Sequence, residues 1–82
     1  MIVPVIETER LLLRGLSAED FNAYADMVAD PEVTRYLGVG QPLTRWDAWR
    51  QMAIFIGHWE LRGFGIWAVE ERATGRFLGR IG

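Results

Sequence analysis

Apolar residues follow two different rhythms along this chain. Glu9-Arg10-Leu11-Leu12-Leu13-Arg14 is a short apolar run with charges at its ends and apolar side chains on both parities. That pattern suits a strand covered on both faces. The period then changes. Phe21, Tyr24, Ala25 and Val28 recur at helical spacing and form one stripe. Ser17-Ala18-Glu19-Asp20 opens this helix, with Ser17 as N-cap and Asp20 at the third helical position of a capping box. Asp30-Pro31 ends or restarts it, because Pro is favoured at a first helical position and Asp caps it. A short turn is predicted from Glu32 to Leu37, then a loop through Gly38-Val39-Gly40-Gln41-Pro42.

Thr44-Arg45-Trp46-Asp47 repeats the capping pattern and opens a longer helix. Trp49, Met52, Ala53, Ile56 and Trp59 are its predicted buried stripe, and Gly63 is placed to end it. Gly57, inside this helix, costs about 1 kcal/mol of propensity relative to Ala; close helix-to-sheet packing would explain it. Phe64 to Glu70 reads as a strand apolar on both faces, hence central. Phe64, Ile66 and Ala68 point one way, Trp67 and Val69 the other. Glu71 to Gly75 turns the chain, and Phe77-Leu78-Gly79-Arg80-Ile81 returns. The order strand, helix, helix, strand, strand predicts an α+β fold built on a mixed α/β sheet. The last strand meets the C-terminus with no closing element, and an open strand edge needs a neighbour. The chain therefore reads as the front part of a larger fold, or as a subunit completed by a partner.

Composition narrows the classes. The 82 residues make one domain at most. With no cysteine, neither a disulfide scaffold nor a thiolate zinc site can form. The start Met1-Ile2-Val3-Pro4-Val5 lacks the features of a signal peptide, and no apolar run approaches a membrane span. The expectation is a cytoplasmic protein without a membrane partner. All nine basic residues are Arg, which removes Schiff-base chemistry and any Lys-based phosphate loop. Residues 1–41 carry a balance of −4 and residues 42–82 a balance of +2. No basic stripe interleaved with aromatics appears, so nucleic-acid binding is not expected.

The catalytic inventory is thin. Ser17, the only serine, is explained as a helix cap. His58, the only histidine, is too few ligands for a metal and reads as a surface or interface residue before a general base. Glu70-Glu71 is a paired carboxylate, but neighbours in a strand point to opposite faces. It reads as a solvated hairpin end near Arg72 and Arg76. Gly38-Val39-Gly40 and Gly63-Phe64-Gly65 lack the context of a nucleotide loop. Among four tryptophans, Trp49 and Trp59 fit the core, while Trp67 could line a pocket.

Three ordered segments carry a resemblance. Glu7-Thr8-Glu9-Arg10-Leu11-Leu12-Leu13-Arg14 with Ser17-Ala18-Glu19-Asp20 resembles the opening of the GNAT superfamily, and more narrowly its RimJ/RimL-like branch, which acetylates protein N-termini and small amines. Asp30-Pro31-Glu32-Val33-Thr34-Arg35-Tyr36-Leu37 is similar to that family's D-P-x-V-x-x-Y-L segment. Gly65-Ile66-Trp67-Ala68-Val69, with Gly75-Arg76-Phe77-Leu78-Gly79-Arg80-Ile81-Gly82, resembles its G-x-W-A-I … G-x-x-I-G-x-I-G hairpin. Together the segments span nearly the whole chain.

The resemblance implies the N-terminal β-α-α-β-β part of an acetyl-CoA-dependent N-acetyltransferase. In that family the acceptor amine attacks the thioester directly, and the enzyme positions the reactants and stabilises the oxyanion through a backbone N–H. The cofactor pyrophosphate sits on an Arg/Gln-x-x-Gly-x-Gly/Ala turn at a helix N-terminus. That turn follows a further strand, beyond Gly82. The resemblance thus implies a partial domain over residues 1–82 without the pyrophosphate loop, the oxyanion strand or the thiolate-protonating Tyr. It assigns Arg35, Tyr36 and Leu37 to the wall of the acceptor site and Trp67 to a central-strand position near it. It implies a small-molecule or peptide amine as acceptor. The alternatives are a truncated non-catalytic module that forms a homo-oligomer through its exposed strand edge, and a small-ligand-binding domain.

Overall fold

The computed structural model of the chain describes residues 3–37 and 41–82, with the side chains at 36 and 37 outside that description. The strands are β1 (Ile6–Glu7), β2 (Leu11–Arg14), β3 (Trp67–Glu71) and β4 (Phe77–Ile81). The helices are α1 (Phe21–Ala29), preceded by a 3-10 turn at Ala18–Asp20, then α2 (Pro31–Leu37) and α3 (Arg45–Arg62). The four strands form one antiparallel sheet in the order β1-β2-β3-β4. The mixed helix-and-sheet fold expected from the sequence is the one observed.

Element boundaries follow from named hydrogen bonds. At the 3-10 turn, the Ser17 N–H donates to Asp20 Oδ2 at 2.9 Å. Asp30 accepts from the Glu32 N–H through its side chain at 2.9 Å and from the Thr34 N–H through its carbonyl at 3.1 Å. With Pro31 in the first helical position, these bonds restart the helix. Residues 31–37 are therefore a seven-residue helix and not the predicted turn. The Asp47 N–H donates to Thr44 Oγ1 at 3.1 Å and starts α3. Gly63 ends it at φ 75°, a left-handed position natural for Gly.

The sheet differs from expectation in two places. β1 was not predicted, because two residues carry no readable period. It forms because Thr8 turns the chain: its N–H donates to the Leu11 carbonyl at 2.8 Å, and its hydroxyl accepts from the Leu11 N–H at 2.9 Å. β3 starts at Trp67, and Phe64 stands outside the ladder, largely exposed. The pairing of β3 with β4 is irregular between Val69 and Glu70.

Helices and sheet meet in a core of Leu16, Tyr24, Ala25, Val28, Ala48, Met52 and Ala68. In α3 the buried positions are Ala48, Met52 and Trp59, with Phe55 packed against the core between them. This stripe is rotated from the predicted one. Trp49, Ala53 and Ile56 are exposed, and Trp49 rests edge-on against Phe21 at 5.6 Å. The rotation follows from size: Ala48 fits where α1 and α3 approach, and an indole does not. Gly57 also departs from expectation, because a Cβ there would meet nothing within 4 Å. Close packing is not its reason. The predicted Gly38-Val39-Gly40 loop lies outside the described residues.

Candidate functional site on the inner face of β4

Register decides which β4 side chains face the helices. Arg80 opposes Ala68, and directly paired residues share a face. Ala68 is fully buried in the core, so Arg80 stands under the helices. Its guanidinium lies 5.0 Å from the Phe55 ring centroid, a cation–π contact. The Tyr24 phenol lies within reach of its positive charge. Tyr24 donates in turn to Gln51 Oε1 and meets the edge of Phe77 at 6.4 Å. Burial raises the Tyr24 phenol above its ordinary range, and Arg80 draws it partly back. Among the described residues no carboxylate pairs with Arg80, and its buried Nε finds no hydrogen-bond acceptor.

The arrangement places one cation, neutralised by no acid, on the outermost strand. An aromatic face holds it. It can orient a carbonyl or an anionic group. The phenol proton is committed to Gln51, so the cluster positions and polarises, and does not supply an acid. One signal for it was present in the sequence: Arg80 sits between Gly79 and Ile81 in an apolar strand, where a charge must find unusual partners.

A second cluster is structural. Arg14 donates to both Asp20 oxygens at 2.8 Å and to Glu70 Oε1 at 2.8 Å. Burial alone would push the Asp20 carboxyl up. The hydrogen bonds from Arg14 and Ser17 outweigh burial and hold it below the usual carboxylate range. Glu70 is therefore not a solvated hairpin end. It shares the inner face with Arg14, while Glu71 accepts from the Thr74 hydroxyl at 2.7 Å in the turn.

The residues assigned to the acceptor wall are held by different partners. Arg35, on α2, pairs with Glu32 at 2.8 Å in an exposed contact. The side chains of Tyr36 and Leu37 lie outside the described residues. Trp67 donates from Nε1 to the Pro4 carbonyl at 2.9 Å and packs edge-on against Trp59, with centroids 5.3 Å apart. It ties the N-terminal segment to the end of α3. Each helix begins beside an acid, namely Asp20, Asp30 or Asp47. A pyrophosphate there would meet a carboxylate in place of free N–H groups. The described residues do not fit that part of a coenzyme A cofactor.

Residues 10–82 match the model of the acetyltransferase (GNAT) domain. The chain belongs to the GNAT acetyltransferase family. The uncharacterized N-acetyltransferase YoaA of Bacillus subtilis (strain 168) is 34% identical over 80 residues, which cover 96% of this chain and 45% of that protein. The crystal structure of an acetyltransferase from Agrobacterium tumefaciens str. C58 superposes with a TM-score of 0.82 at 35% identity, over 100% of this chain and 46% of that one. A Bordetella pertussis protein assigned to the GNAT family shares the fold at 23% identity and a TM-score of 0.75, over 94% of this chain and 44% of that one. The chain thus spans a little under half the length of these relatives. Among the described residues no helix is long and apolar enough to cross a membrane.

Proposed function

We propose that this GNAT chain forms the acceptor-side part of a cytoplasmic N-acetyltransferase. The enzyme moves an acetyl group from acetyl-CoA to an amine, either a protein N-terminus or a small amine, as in the RimJ/RimL-like branch. The observation that carries the reading is the family match over residues 10–82, with a fold likeness at a TM-score of 0.82 along the whole chain. On this reading residues 1–82 are the N-terminal portion of the domain. The pyrophosphate turn, the oxyanion strand and the thiolate-protonating group belong to residues after Gly82. Arg35, Tyr36, Leu37 and Trp67 wall the acceptor site, and Arg80 adds a fixed positive charge under the helices.

The test is thiol release by the whole protein encoded by the reading frame, assayed with acetyl-CoA and a panel of primary amines and peptides. Amine-dependent release of coenzyme A is expected, with an Arg/Gln-x-x-Gly-x-Gly/Ala turn encoded one strand beyond Gly82. A stop codon at that point, with no thiol release, overturns the enzymic reading.

One observation favours a second reading, a non-catalytic module that pairs with its own copy. Among the described residues β4 has a strand neighbour on one side only, and Leu78 and Ile81 on it are 39% and 53% exposed. An open edge of this kind recruits another strand. Light scattering tests it: a dimer mass supports the module, and a folded monomer at high concentration contradicts it.

A further inference from the structure

We propose that the outward face of α3 is an interface with a second copy of this chain, the two α3 helices packing antiparallel about a two-fold axis at Ala53. This concerns assembly and stands independently of the acetyltransferase reading.

At about 100° per residue, Trp46, Trp49, Ala53, Ile56 and Gly57 fall on one side of α3, centred on Ala53. The alternating steps of three and four from Trp46 to Ile56 are those of a helix–helix seam. Ala48, Met52, Phe55 and Trp59 take another side, against the core. So α3 carries two apolar stripes, and only one is covered. Trp46, Trp49 and Ile56 are 66%, 46% and 42% exposed, and Ala53 is exposed between them. A surface helix ordinarily turns polar residues outward, and a contiguous apolar face marks an interaction site. The face is turned away from Gly82: Ile56 and Gly57 border the cavity beside Val3 and Leu16, whereas Ile54 and His58 border the one that reaches Gly82.

Size complementarity selects a second copy as the occupant. Trp49 and Gly57 stand four positions on either side of Ala53. With the axis at Ala53, Trp49 enters the hole between the partner's Ala53, the partner's Ile56, the partner's Gly57 and the partner's Glu60, a knob in the four-residue hole of a helix surface. Two of those four side chains are small. Gly57 is unfavourable in a helix interior, and among the described residues a Cβ there would meet nothing within 4 Å. Its missing side chain makes room for an indole that comes from outside the chain.

Charge complementarity sets the direction. Trp46 and Glu60 stand seven positions on either side of Ala53. Antiparallel packing therefore brings Trp46 and the adjacent Arg45 beside the partner's Glu60. Arg45 is fixed in place by a 2.8 Å bond to Asn22 Oδ1 and lies 4.7 Å from the Phe21 ring centroid. Arg50, the other cation on this face, has Asp47 of its own helix at 3.7 Å. A parallel pair would set Arg45 against the partner's Arg45 and Glu60 against the partner's Glu60. Antiparallel helices also oppose their macrodipoles.

Sedimentation equilibrium of the whole protein encoded by the reading frame should give the mass of a dimer. Gly57→Gln puts a good helix former where the chain itself has open space. It should weaken dimerisation about tenfold or more, as over-packing does, and leave the melting of the dilute monomer undiminished. Glu60→Arg should weaken the dimer about threefold, the scale of a partly exposed ion pair, and Arg45→Glu in the same chain should restore it. Ala53→Cys places two sulfurs at the two-fold axis, so mild oxidation should link the copies; Leu78→Cys, on the edge of β4, should not. That link stands by itself should Gly57→Gln fail to fold. A monomer at every concentration would overturn the proposal and leave the face to a different partner. A dimer that Gly57→Gln leaves intact would also overturn it. So would a link through Leu78→Cys and none through Ala53→Cys, which would put the contact at the β4 edge.

Discussion

Replacing Arg14 by Met should be among the costliest single changes in this chain. Among the described residues Arg14 is the only cation bonded to Asp20, whose side chain is 7% exposed, and it also holds Glu70, 20% exposed. Methionine keeps the length of the stem and removes the charge. Asp20 would keep its bonds from Ser17, at 2.9 and 3.4 Å, but lose both 2.8 Å bonds from the guanidinium. Leaving one partner of a buried pair uncompensated costs about 3–5 kcal/mol. A domain of this size has about 4–12 kcal/mol in total, from roughly 0.05–0.15 kcal/mol per residue. The variant should therefore lose about a quarter or more of its stability. The pH dependence has a definite sign. In the parent, Asp20 is depressed, so its contribution is present above the unfolded carboxylate value and fades as pH falls through the lower folded value. In the variant, burial acts without Arg14 and the carboxyl moves up. Acidification then neutralises it and removes the penalty. Urea denaturation followed by tryptophan fluorescence at neutral pH and near pH 4 measures both effects. A deficit under about 1 kcal/mol at neutral pH, the level of an exposed pair, would refute the reasoning. So would a deficit that stays constant between the two pH values.

Three further variants test the elements one by one. Thr44→Ala removes the oxygen that accepts from the Asp47 N–H and should cost about 1 kcal/mol in urea melts. Gly63→Ala places a Cβ at φ 75° and should cost about 1–2 kcal/mol, with the loss concentrated in exchange protection of the last turn of α3. Met52→Ala empties a fully buried position between α1 and the sheet, and thermal melting should register about 2–5 kcal/mol.

Much of this architecture is legible in the sequence, and the exceptions have physical causes. Ser17 and Asp20, Asp30 and Pro31, Thr44 and Asp47, and Gly63 mark helix ends through local hydrogen bonds, which short segments encode on their own. The stripe of α3 is less legible, because Trp49 and Ala48 are neighbours and only tertiary packing decides which faces α1. Glu70 looked solvated because its partner Arg14 lies 56 positions away, across a strand pairing that no local pattern reveals. The same holds for Arg80, whose companions Tyr24, Gln51 and Phe55 come from two helices. His58 was visible as the only histidine, but its contact with the Phe64 carbonyl at 2.7 Å depends on the path of the loop there.

The central claim is that these residues build the acceptor side of a GNAT acetyltransferase, while the cofactor is held by residues that follow. Calorimetric titration of acetyl-CoA into the 82-residue chain tests it most directly. The account predicts no binding in the micromolar range, because among the described residues the first turn of each helix has a carboxylate, Asp20, Asp30 or Asp47, beside it, and Asp30 and Thr44 already cap α2 and α3. Micromolar or tighter binding to this chain alone would contradict it.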